Sequence, residues 1–175
     1  MSKNKQKFPA SIAKYNVYTA GERLLGISGT VDLPTLEFIK ATLNGAGMGG
    51  SMDVSTPGQT NNIQITIPFV SASQEMFSLI RPGETTMLTL RGGFQELDAA
   101  GVTHMTPIRV VVRGTVGSIT LGSLQQANPM NSSITLDLSY ILEEYDGVKM
   151  LEHDKLNGVF IVNGEDVLEE LNAMC

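Results

Sequence analysis

Tryptophan is missing from this 175-residue chain, aromatic residues make up only 6% of it, and cysteine occurs once, at Cys175. A carbohydrate-binding surface built on stacked rings is therefore poorly supplied. A lone thiol rules out an internal disulfide and fits a reducing compartment. Charge is scarce too, at 17% of residues, and acids outnumber bases to a formal net charge of −6. Proteins that grip phosphate backbones carry a basic surplus, so charge-driven DNA binding is not expected. Lys3, Lys5 and Lys7 are the local exception, within a polar leader over residues 1–10 that is expected to be a flexible arm. No apolar run approaches the ~20 residues of a membrane span. With no apolar stretch of secretory type near Met1, a soluble chain made in a cytoplasm, with no membrane anchor, is expected.

Catalytic constellations are equally sparse. His104 and His153 are the only histidines, and neither has a ligating partner three or four residues away. Glu152, His153 and Asp154 are consecutive, and on a strand consecutive side chains point to opposite faces and cannot converge on one ion. Gly45, Gly47 and Gly50 spell the dinucleotide fingerprint G-x-G-x-x-G. That fingerprint needs a following helix to hold the pyrophosphate, and Ser51 to Gly58 cannot open one. No cofactor, metal or enzymatic activity is expected.

What the chain does have is alternation and glycine. Ile63, Ile65, Ile67 and Phe69 alternate with Gln64, Thr66 and Pro68, the period of two that buries one face of a strand. Ile108, Val110, Val112 and Val116 repeat the pattern, as do Ile134, Leu136, Leu138, Tyr140 and Leu142. Shorter strands are expected at 15–18, 24–28, 148–151 and 159–162, with extended runs over 31–43 and 85–97. Gly92-Gly93 predicts a bend or bulge in the last of these. A Ser71 or Ser73 cap before Met76, Phe77 and Ile80 predicts a helix ended by Pro82-Gly83. A second short helix is expected over 165–174, with acids in its first turn. The expected fold is mainly β in one domain over 1–175, with 44–61 as an extended loop. Five glycines and Pro57 lie in that loop. As a hairpin its arms reach roughly 30 Å at ~3.3 Å per residue, and composition alone leaves a mobile surface loop equally open.

The order of several blocks resembles the major tail tube proteins of contractile-tailed phages. These are Tyr15-Asn16-Val17-Tyr18, the run Val31 to Glu37, Gly45 to Gly50 through Gln59, and Leu90 to Gln95. Arg109 to Gly114, Asp154 to Asn157 and Val162 to Asp166 complete the match, while Gly122 to Asn131 departs from the pattern. The resemblance implies two packed antiparallel sheets with a flanking helix, a short C-terminal helix and a long hairpin arm. It implies hexameric rings, each closing a shared β-barrel, stacked within a contractile sheath as a conduit for DNA. The implied partners are further copies of the chain, a sheath protein, a tape-measure protein and DNA in the lumen, and baseplate and tail terminator proteins. A virion tail assembled in the host cytoplasm is the implied location. A headless bacteriocin tube and a secretion-system ring protein of the same architecture are the alternatives.

Within that frame Gly45, Gly47, Met48, Gly50, Asp53 and Pro57 are expected to contact the adjacent ring. Gln64 and Thr66 are expected to face the lumen, where a neutral or acidic wall would not hold phosphates. Arg91, Arg109 and Arg113 are the candidate cations at the boundary between subunits.

Overall fold

The computed structural model describes residues 7–45, 47 and 49–174. Met48 and Cys175 lie outside the described residues. The described chain forms eleven strands and two short helices, one after the fifth strand and one at the end, and every strand pairing is antiparallel. The mainly β reading therefore holds, with strands divided between a nine-stranded sheet and a two-stranded one; neither closes into a barrel.

The large sheet begins with β1 (Lys7–Thr19), a tight turn at Ala20-Gly21, and β2 (Glu22–Arg23). Four long strands make its body: β6 (Thr86–Asp98), β7 (Thr103–Thr120), β8 (Ser132–Tyr145) and β9 (Val148–Asp154). β10 (Val159–Val162) and β11 (Glu165–Asp166) finish one end, giving the order β11-β10-β9-β8-β7-β6-β1-β2. Strand β5 (Ile63–Phe69) stands off this path, paired with β8 alone.

β8 forks. Its first half, Ser132 to Leu138, pairs with β5 on one side, and its second half, Tyr140 to Tyr145, pairs with β9. The change of partner falls at Ser139, the extra residue of a bulge opposite Arg113 and Gly114 of β7. A methyl group on Gly114 would lie 2.1 Å from the Asp137 carbonyl oxygen, so the two backbones meet where only glycine fits. Gly117 marks a second bulge of the same pair, against the Asp137 carboxylate.

The core lies on one face of this curled sheet. Val17, Leu88, Leu90, Val110 and Val112 belong to one buried cluster with Ile63, Ile65, Ile67, Phe69, Ile134, Leu136 and Leu138. The segment after β2 crosses the open side: Ile27 bridges Phe69, the Val70 N–H donates to the Gly26 carbonyl, and the Ser28 N–H to that of Pro68. The brief strand expected over 24–28 is thus a single bridge, because Gly26 and Gly29 turn the chain with positive φ. Helix α1 (Gln74–Ser78) is capped by Ser73, whose side chain accepts from the Met76 N–H. It inserts Met76 and Leu79 into the core and leaves Phe77 outside, so the inner stripe differs from the expected Met76, Phe77 and Ile80 by one position.

Several boundaries also differ from expectation. β1 starts at Lys7, because its backbone is laddered to β6 from Asp98 onward; Lys7 to Ala10 therefore are strand rather than free arm. The bulges near Gly92-Gly93 sit on β1, at Ala10 and Ala13, while β6 pairs with β7 without interruption. Glu165-Asp166 is a strand laddered to β10, so α2 (Glu169–Met174) begins four residues later than expected. The extended run 31–43 is strand only over β3 (Phe38–Leu43), which pairs with β4 (Met52–Thr60) as the second sheet.

Candidate assembly surfaces

The β3–β4 hairpin starts at Phe38, earlier than the loop expected over 44–61, because the apolar end of the preceding run supplies its first arm. Its root is fastened to the large sheet. The Phe38 ring meets Phe160 edge-on at 5.6 Å, and His153 meets Phe160 at 5.1 Å. The Asn61 N–H donates to the Glu37 carbonyl, and Lys155 Nζ donates to the carbonyl of Asn61. Between root and outer ladder the register slips by several residues, which places Thr56 to Gln59 in a bulge. Pro57 is exposed there, and Gly58, at φ +66°, sits so close to Leu168 that a methyl would lie 2.7 Å away.

Beyond the root the hairpin touches little of its own chain. Ile39, Leu43, Met52 and Val54 are all between two-fifths and about half exposed. Leu43 pairs with Met52 and Ala41 with Val54, so these apolar side chains share one face. Thr42 and Asp53 pair on the other face, the threonine hydroxyl donating to Asp53 Oδ1. Gly45, Gly47 and Gly50 occupy the exposed turn between the strands, Gly47 and Gly50 with positive φ.

His153 is the buried titratable group of the hairpin root, at 2% exposure. Its Nδ1 is 3.3 Å from the Val159 carbonyl, which can only accept, so Nδ1 carries the proton. Nε2 then accepts from the Thr60 hydroxyl at 3.0 Å. Burial, with a smaller contribution from Lys155, holds its pKa below the ordinary value, against the Val159 bond and Asp154. A base whose folded pKa is depressed binds fewer protons than it does unfolded. Its contribution is therefore complete above pH ~6.5 and is lost as pH falls from there toward the folded pKa. Denaturant titrations should show stability falling between pH 7 and 5, with a flatter profile in His153→Gln. An equal slope in both proteins would remove His153 as the cause.

The opposite face of the nine-stranded sheet is largely polar, apart from the paired and buried Val111 and Leu142. Register places Gln64, Thr66, Thr135 and Asp137 on it, together with Arg91, Arg109 and Arg113. The expected lumen residues and the expected boundary arginines thus share one surface. Gln64 and Asn62 each donate to Asp137 Oδ1 at 2.8 Å, which holds that carboxyl below its usual pKa, and Thr66 bonds Thr135. Arg109 lies 2.6 Å from Glu144, and Arg113 lies 3.2 Å from Asp154 and over the Tyr140 ring. Tyr140 is pushed up to about 12 by burial and by its bond to Glu152. Both arginines therefore have carboxylate partners inside their own chain. Arg91 lies over the Tyr18 ring.

At the far end of β6 and β7 a second polar cluster gathers around Glu96. Its carboxylate accepts from Lys7, Thr106 and Tyr145, bonds that lower its pKa to about 2. The cluster ties the start of β1 to the sheet, and its only sequence signal is the spacing of polar residues on four separate strands. No group of three or more His, Cys, Asp or Glu residues suited to a metal occurs among the described residues. No described helix is long and apolar enough to cross a membrane.

Comparison with known proteins bears on these surfaces. The chain matches the family model of phage tail tube protein FII over residues 9–174. It is also 26% identical over 164 residues to the tail tube protein of Escherichia phage P2, an alignment covering 93% of this chain and 94% of that protein.

Proposed function

Because the chain belongs to the phage tail tube protein FII family, we propose that its copies form hexameric rings stacked into a hollow conduit inside a contractile sheath. The protein is a structural component of the virion tail, not an enzyme, and assembles into a tube with other tail proteins. In the proposed particle DNA passes through the lumen, behind or in place of a tape-measure protein, and baseplate and terminator proteins close the two ends.

The exposed apolar row on the hairpin carries this reading. A monomer has no use for Ile39, Leu43, Met52 and Val54 held out on a firmly rooted arm, whereas a neighbouring copy gives them cover. Gly45, Gly47, Met48, Gly50, Asp53 and Pro57 then form the contact with the adjacent ring. Unpaired strand edges support closure within a ring. Among the described residues β1 is bonded on its outer side only near Thr19, and β5 ladders only to β8 over 63–67. Adding neighbouring strands at such edges satisfies backbone groups that would otherwise invite uncontrolled pairing. Gln64 and Thr66, polar and uncharged, are assigned to the lumen wall. Arg91, Arg109 and Arg113, on the same face, are assigned to its margin between subunits.

Purified protein concentrated at neutral pH should appear in electron micrographs as rings or hollow rods. In a Cys175→Ser background, Gln64→Cys and Thr66→Cys should resist a large maleimide reagent in intact rods and react after dissociation. Ready labelling of intact rods would remove these residues from the lumen.

A further inference from the structure

A groove on the core face of the large sheet lies where its covering segment stops. Leu90 and Gly92 of β6 and Ile108 and Val110 of β7 form its floor, and Gly29 to Leu33 arch over one side. The arch is pinned by the Tyr15 hydroxyl, which donates to the Gly29 carbonyl at 2.7 Å. Ile12 and Leu33 stand at the rim, each nearly half exposed. The space is about 310 Å³ with a predominantly apolar lining. At roughly 30 Å³ for each water-sized group it seats on the order of ten heavy atoms, enough for two aliphatic side chains.

We propose that this groove receives the paired Leu43 and Met52 side chains from the hairpin arm of a second copy. The inference rests on the reading that the arm bridges copies, and adds the surface on which it lands. Three observations select the occupant. The arm presents two adjacent apolar side chains, both about half exposed and held side by side by the ladder. The groove has the size and polarity to take that pair. Arm and groove also belong to different parts of the chain: the arm's root is fastened to β9 and β10, while the groove lies among β1, β6 and β7. A chain that carries both members of a non-overlapping complementary pair associates head to tail, and each added copy offers a fresh groove or a fresh arm. Met suits such a contact, since its unbranched thioether adapts to an irregular cleft.

Cross-linking tests the assignment. In the Cys175→Ser background, Leu43→Cys combined with Ile12→Cys should give, on mild oxidation of assembled rods, a ladder of covalent species beyond the dimer. Either cysteine alone should give no species larger than a dimer. Leu33→Cys, on the opposite rim, should reproduce the ladder with Leu43→Cys where the Ile12 substitution hinders assembly. Rods that form normally yet yield no ladder from either pair would overturn the groove assignment. Leu43→Asp with Met52→Asp separates this from the reading beneath it. Loss of rods with an unchanged monomer supports the arm as the bridge, whereas rods that form as in the parent would overturn both.

Discussion

Gly114→Ala should destabilise the protein by about 3 kcal/mol or more, roughly a fifth to over half of the ~5–15 kcal/mol that holds a typical domain folded. The added methyl would lie 2.1 Å from the Asp137 carbonyl oxygen and 2.9 Å from the Leu138 Cα. Both are backbone atoms, so no side-chain rotation relieves the overlap, and β7 must move away from β8. That separation would fall where β8 exchanges β5 for β9, and where Ser139 donates to the Arg113 carbonyl while its own carbonyl accepts from Lys155. One methyl group therefore strains both branches of the sheet. Gly93→Ala is the control, because no atom lies within 4 Å of a methyl placed there. Urea denaturation should place the control within about 1 kcal/mol of the parent. A Gly114→Ala protein as stable as the control would show that the bulge accepts a side chain.

Phe69→Ala is expected to cost about 3–5 kcal/mol. Phe69 is fully buried and ends β5, the strand laddered to β8 alone. On its other side it makes the single bridge to Ile27, through which the segment after β2 is joined to β5. Truncation leaves a cavity and also loosens that tie, so α1 and the Leu24 to Leu36 segment should lose protection from hydrogen exchange together. A loss of stability confined to β5, with the 24–36 amides still protected, would show that the bridge adds nothing beyond packing.

Much of the strand content was legible before any coordinates. Alternation at 63–69, 108–112 and 134–138 announces buried faces because a pleated strand presents every second side chain to the same side. Beyond Leu138 the bulge at Ser139 reverses the expected order, so Ile141 joins the core while Tyr140 and Leu142 turn to the other face. The same local logic finds the helix cap, which falls at Ser73 of the two serines expected to supply it. Where expectation and structure part, the deciding partner lies on another strand, which the periodicity of one strand does not reveal. The polar stretch 52–60 becomes a strand because Phe38 to Leu43 comes to lie beside it. Glu165-Asp166 ladders to β10 instead of opening a helix, and His153 is buried because Phe160 and Thr60 close over it.

The candidate surfaces divide in the same way. Residue order by itself determined the family, the strand faces, the acidic balance and the glycine-rich turn of the arm, since each is written in composition or in spacing of a few residues. Only the tertiary structure decided that Arg109 and Arg113 meet Glu144 and Asp154, that they share a face with Gln64 and Thr66, and that an apolar groove opens between β1 and the arch at Gly29. Periodicity tells which way a side chain points along its own strand. Which strand lies next to it depends on register between segments dozens of residues apart, and two bulges are enough to change the partner.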